Sequence, residues 1–208
     1  MDIHAPEGPT RSFKDFAIHI VIVTIGILIA LGLEGIRETI HNHRQVSETR
    51  EIFRVELLAN QKHLAYQRRA LQDTVQRLDA LLANLDQLNA QPEKAAAAVG
   101  DIEPGFYFFT TVSWESALST GVLDHMAPAE VVRFASETVA VRDYVSAQDQ
   151  AVLRWYEAQS IFKSRSTLTP QQLEDGRQKL QLFRLYCDSM NHLLDELSED
   201  IDKALKQN

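Results

Sequence analysis

One cysteine, Cys187, is all the chain has, and a single thiol excludes an intramolecular disulfide framework. Dense basic tracts are missing too. Against 21 basic residues stand 29 acidic ones, a formal net charge of -8. That sign repels phosphate, so no nucleic-acid partner is expected, and no basic run of the lipid-headgroup kind occurs. The motifs of common enzymes are equally absent. There is no nucleophile elbow, no Gly-rich phosphate loop, no His-Glu-x-x-His and no pair of cysteines, and neither an enzyme activity nor a cofactor is expected. Proline is missing from Glu34 to Gln91, where Gly35 is the one residue of very poor helix propensity. Asp, Glu, Lys and Arg are all missing from Phe16 to Leu33.

That last absence is the most informative. The uncharged run holds only His19 and Thr24 as polar members. As a helix it is roughly 27 Å long, close to a hydrocarbon core of about 30 Å. A helix can span lipid because it satisfies its own backbone hydrogen bonds. A buried core helix would alternate faces, and this run is apolar all round. A cleaved signal peptide has a shorter apolar stretch behind a basic leader. Here the leader is long and carries Asp2, Glu7 and Asp15 beside Arg11 and Lys14. The reading is a retained signal anchor. Basic residues nearly balance across it, with Arg11 and Lys14 before and Arg37, Arg44 and Arg50 after. A leader far shorter than the domain that follows favours the amino terminus inside and the domain outside.

The rest reads as helix. From Leu57 a leucine recurs every seventh residue through Leu64, Leu71, Leu78 and Leu85. Taking Gln61, Arg68, Val75 and Leu82 as the companion positions gives a seam that strengthens away from the membrane. Gln91-Pro92 and Gly100 mark a helix end and a turn region. Pro104 to Pro128 reads as a compact connector whose aromatic cluster, Phe106 to Phe109 with Trp114, plugs one end of a helical bundle. Within it Thr111 would cap a short helix ending near Gly121. A helix starting at Pro128 would bury Phe134, Val141, Val145, Val152, Trp155 and Phe162. Thr169 and Gln172 suit a capping box for the last helix, whose seam runs Leu180, Phe183, Cys187, Met190, Leu194, Leu197, Ile201. The expected architecture is all-α: a leader (1–15), a transmembrane helix (16–33), a membrane-proximal stalk (34–56) and a helical domain (57–208). Three long helices would pack antiparallel in that domain, with a short aromatic helix capping one end.

The stretch Ile25 to Glu34, followed by His41-x-His43-Arg44 and by Glu56 to Asn60, resembles a group of bacterial single-pass inner-membrane proteins with a helical extramembrane domain. Trp114 to Leu123 resembles their middle region. The resemblance implies a bacterial inner-membrane location; in such a membrane the layout described above puts the amino terminus in the cytoplasm and the domain in the periplasm. It brings no catalytic residues and no assigned activity.

Candidate sites are few. Glu34, Glu38 and His41 are spaced by four and three and share one helix face. Glu38-Thr-Ile-His41 has the Glu-x-x-His spacing of di-metal bundles, although those sites need a second copy of the motif; the ordinary reading is a polar stripe making local contacts. His43 lies on another face. His19, one turn into the span, reads as an interfacial histidine. Gly26 and Ala30 form a small-x-x-x-small pair that lets two membrane helices approach, hence a homo-oligomer through the span. Asp124-His125 has no partner nucleophile, and Cys187 reads as a small buried hydrophobe. Together these features point to a membrane-anchored interaction or scaffold protein whose partners are the lipid bilayer, a second copy or another protein. The alternative is a metal-binding or metal-sensing membrane protein using Glu38 and His41.

Overall fold

The computed structural model describes residues 13–88, 92–163 and 168–206. Its elements are helices α1 (Phe13–Leu88), α2 (Pro92–Gly100), α3 (Val112–Thr120), α4 (Pro128–Lys163) and α5 (Pro170–Lys206), with a 3-10 turn at Val122–His125. No strand occurs among the described residues. Residues 1–12, Gln91 and residues 164–167, where the sequence led us to expect a leader, a helix end and a break, lie outside that description.

The chain divides into two compact units, 1–47 and 48–208. In the first, residues 13–47 are helical. The run from Phe16 is long and apolar enough to cross a membrane, and none of it is buried within the protein.

The second unit is organised by three seams. On α1 the buried residues alternate in steps of four and three: Phe53, Leu57, Asn60, Leu64, Gln67, Leu71, Thr74, Leu78, Leu81, Leu85. All five heptad leucines are buried as expected. The companions are not Gln61, Arg68, Val75 and Leu82 but their predecessors Asn60, Gln67, Thr74 and Leu81. The packing also reaches back before Leu57, because Phe53 stacks on Phe134 at 4.0 Å. The α5 seam is buried throughout, Leu180 to Ile201, in the order expected. Its capping box closes reciprocally, Thr169 N donating to Gln172 Oε1 (3.0 Å) and Gln172 N to Thr169 Oγ1 (3.3 Å).

On α4 the expected Val145 and Val152 are only half-buried. Their neighbours Tyr144, Gln148 and Ala151 are buried instead. The seam there includes Glu130 and Glu137, which apolar counting steps over. Steps of three and four average 3.5 residues, the period at which one stripe stays facing its partners.

Polar pairs fix helix direction. Gln61 meets Asp202, Arg68 meets Asp195, Asp79 meets Arg184 and Asp86 meets Arg177. Numbers rise on α1 as they fall on α5, so these helices are antiparallel. Trp155 against Phe183 and, two turns on, Phe162 beside Gly176 give the same sense for α4 and α5. A Cβ on Gly176 of α5 would lie 2.6 Å from Phe162 Cζ, so a glycine is needed where the two helices approach.

The α1–α4 pair differs from expectation. Arg50 bonds Glu130, Phe53 stacks on Phe134 and Asn60 bonds Glu137, so α1 and α4 run parallel. The connector explains this. Residues 92–100 are not a turn but helix α2, started by Pro92 and carried by four alanines. It buries Ala95 and Val99 and leads into an extended strap, residues 102–111, which returns along α1. The aromatic cluster therefore flanks α1 rather than plugging an end. Phe109 packs edge-on against Tyr144, and Phe108 stands 79 % exposed. Helix α3 ends at Gly121, whose φ of 70° suits a residue without a Cβ.

Leu194 is fully buried at the centre of the α5 seam. Leu194→Ala is expected to cost about 2–5 kcal/mol in equilibrium denaturation of the detergent-solubilised chain. A loss below about 0.5 kcal/mol, the range of a neutral surface change, would contradict the packing described.

Candidate functional site

An extended segment laid along a helix has no ladder for its backbone, and buried N–H and C=O groups must be paired. Side chains from one stripe of α1 do this. Asn60 Nδ2 donates to Thr110 O (2.9 Å), and Thr110 N donates to Asn60 Oδ1 (3.1 Å). One heptad on, Gln67 Nε2 donates to Gly105 O (3.2 Å), and Tyr107 N donates to Gln67 Oε1 (2.6 Å). Between them His63 Nδ1 lies 2.9 Å from Phe108 O. A carbonyl only accepts, so this Nδ1 carries the proton. The register is metrical. Seven helical steps rise about 10.5 Å, and the three extended steps from Tyr107 to Thr110 cover about 10 Å.

Glu56 completes the ladder. Its Oε2 accepts from Thr110 Oγ1 (3.3 Å) and from Ser113 N (3.1 Å) in the first turn of α3. Thr111 occupies the N-cap position as expected, but its side chain makes no capping bond. The carboxylate of Glu56 serves α3 from a neighbouring helix, where the exposed N–H groups favour an acid.

Behind the strap lies Glu137, 2 % exposed. Asn60 Nδ2 donates to its Oε1 at 3.1 Å. Burial pushes its ionisation up to about 7, against the lowering effect of that hydrogen bond, and the Glu56 and Asp200 carboxylates raise it further. Its heptad neighbour Glu130 is also buried but is held by a two-pronged bond from Arg50, Nε–Oε1 2.6 Å and Nη2–Oε2 2.8 Å. Glu137 has no such cation. It therefore exchanges its proton near neutrality, inside the packing, beside the amide that holds the strap.

The sequence-derived candidates lie elsewhere. Glu34, Glu38 and His41 are exposed on α1 in the first unit, and Glu34 lies 3.8 Å from Arg37. No group of three His, Cys, Asp or Glu is placed to hold a metal ion among the described residues. His19, His43, Gly26 and Ala30 are exposed within the chain. Asp124 and His125 are exposed on the 3-10 turn. Cys187 is buried, and burial pushes its thiol up to about 12, which keeps it un-ionised and inert.

Asn60, Gln67 and Glu137 were missed because a search for apolar periodicity skips polar residues at seam positions. A signal for them exists: Asn60, Gln67, Thr74 and Glu130, Glu137, Tyr144 each repeat at seven. Comparison with protein-family models, with curated proteins and with solved structures returns no match.

The Glu137 shift fixes a sign. In the unfolded chain its carboxyl ionises near 4.5, in the folded chain near 7. The fold thus loses stability as pH rises from about 4.5 to 7 and stays lower above that, by about 3 kcal/mol. Glu137→Gln keeps an acceptor for Asn60 and removes the charge. It is expected to raise the denaturation midpoint at pH 8 and leave it unchanged at pH 4.5. Equal effects at both values would show that ionisation is not the cause.

Proposed function

We propose that the chain is a single-pass membrane protein that presents a helical interaction or scaffold unit at the membrane surface. The carrying observation is the apolar run from Phe16 to Leu33. It is helical, uncharged and unburied, so only lipid or another membrane helix removes its side chains from water. The resemblance to bacterial inner-membrane proteins supports that membrane, and the leader-then-domain layout supports a cytoplasmic amino terminus and a periplasmic domain. Gly26 and Ala30, with open space about the glycine, suit close approach of a second copy.

The interaction reading rests on what the seams leave over. Ile52, Val55, Phe108 and Val112 are mainly exposed in the second unit, and so are Val132 and Val139 on α4. An enzyme reading gains no support from Glu137. Its carboxyl is sealed from any substrate and bonded to a strap-holding amide.

Two measurements test the proposal. Alkaline carbonate is expected to leave the chain in the membrane pellet, whereas removal of residues 1–33 moves it to the supernatant. Release of the intact chain would overturn the anchor. Chemical crosslinking in native membranes is expected to give discrete adducts of the helical unit, and their absence would overturn the interaction role.

A further inference from the structure

The face of α4 turned away from its seam forms, with α5, a groove of about 450 Å3. Val132 and Val139 stand in it one heptad apart, 63 % and 53 % exposed. Ala135 and Ser136 keep the floor low between them, and Leu193 of α5 forms the opposite wall. Along α4 the groove runs from Val132 to Asp143, about 16 Å or three helical turns. Two antiparallel helices with small residues between them leave a furrow of the kind that takes the side-chain ridge of a third helix.

The rim has one sign. Asp143, Glu196 and Asp200 line the groove, and no Lys or Arg does. Asp200 is met by Lys203 at 3.1 Å. Asp143 and Glu196 make no hydrogen bond or ion pair among the described residues. The surrounding stretch of α5, Asp188 to Asp202, holds six acidic residues and no Lys or Arg. Other acids there are engaged within the chain, Asp188 by Arg184, Asp195 by Arg68 and Asp202 by Gln61. Lys203 also meets Glu199, so of the six only Glu196, on the groove, makes no such contact among the described residues.

We propose that this groove docks an amphipathic helix of a partner protein, its apolar stripe flanked by Lys and Arg. The inference rests on the interaction reading above and names the chemistry of the partner. Val132 and Val139 need an apolar stripe of matching length, and Asp143 and Glu196 need cations beside it. A second copy of the chain fits poorly. Two-fold pairing of this groove about its centre would set Asp143 and Glu196 of each copy against the Val132 end of the other, where no Lys or Arg lines the groove to meet them. An anionic lipid surface is repelled by the acidic rim.

The probe is a synthetic helix of about 20 residues, long enough to be helical alone, with Leu at heptad a and d and Lys at e and g. A companion peptide carries Glu in place of Lys. Binding is read by fluorescence anisotropy to the full chain in phosphatidylcholine nanodiscs, with empty nanodiscs as reference. The Lys peptide is expected to bind saturably and more weakly as salt rises. Val132→Glu with Val139→Glu is expected to weaken it by at least about tenfold. Asp143→Lys with Glu196→Lys is expected to reverse the preference toward the Glu peptide. All four positions are exposed, so helix content by circular dichroism should hold. Failure of the Lys peptide to bind, or equal binding to the Asp143→Lys/Glu196→Lys chain, would overturn the groove. So would a self-associated chain that Val132→Glu with Val139→Glu turns into monomer. Membrane crosslinks that persist in the valine variant, with no peptide binding, would remove the groove and leave the interaction role standing.

Discussion

An extended segment packed against a helix must find partners for a backbone that no sheet completes, and the second unit is arranged around that requirement. Asn60 and Gln67 offer amide groups one heptad apart, each both donating and accepting. An amide side chain is the nearest mimic of a peptide group, so the pair stands in for a neighbouring strand. Apolar residues at these two positions would leave the strap's part-buried N–H and C=O groups without these partners, at a cost of up to about 1–3 kcal/mol for each that water does not reach. The strap in turn carries the chain back along α1. That return is why α4 starts beside Arg50 and Phe53 and runs parallel to α1.

Charge divides into three uses. Ion pairs between α1 and α5, such as Arg68–Asp195 and Arg184–Asp79, lie at the surface and mainly record register, since exposed pairs contribute little. Glu130 is buried with its own cation, and Arg50 compensates its desolvation. Glu137 is buried with only an amide and two repelling carboxylates around it. The same seam thus holds one acid paired with a cation and one whose ionisation burial pushes up to about 7. The second adjoins the strap's principal anchor, so its proton and the strap's attachment belong to one hydrogen-bonded group.

The remaining charge faces outward on α4 and α5, next to valines that no element of the described chain covers. The apolar run and the partly uncovered helical unit are the two features on which the proposed interaction role rests.

Composition and period determined the helical class, the apolar run, the α5 seam and its capping box. Each depends on residues near in sequence: an uncharged stretch, steps of three and four, a Thr and a Gln three apart. The leucine heptad of α1 was legible for the same reason. Its companions were not, because Asn60, Gln67 and Thr74 are polar and only their partners across space justify burying them. The α4 seam hid Glu137 and Tyr144 likewise. Direction was beyond local pattern altogether. Three amphipathic helices of similar length pack acceptably in more than one sense, and periodicity does not distinguish them. What decided between them was a ten-residue strap whose backbone needed the amides of α1, a demand that arises only once distant segments meet.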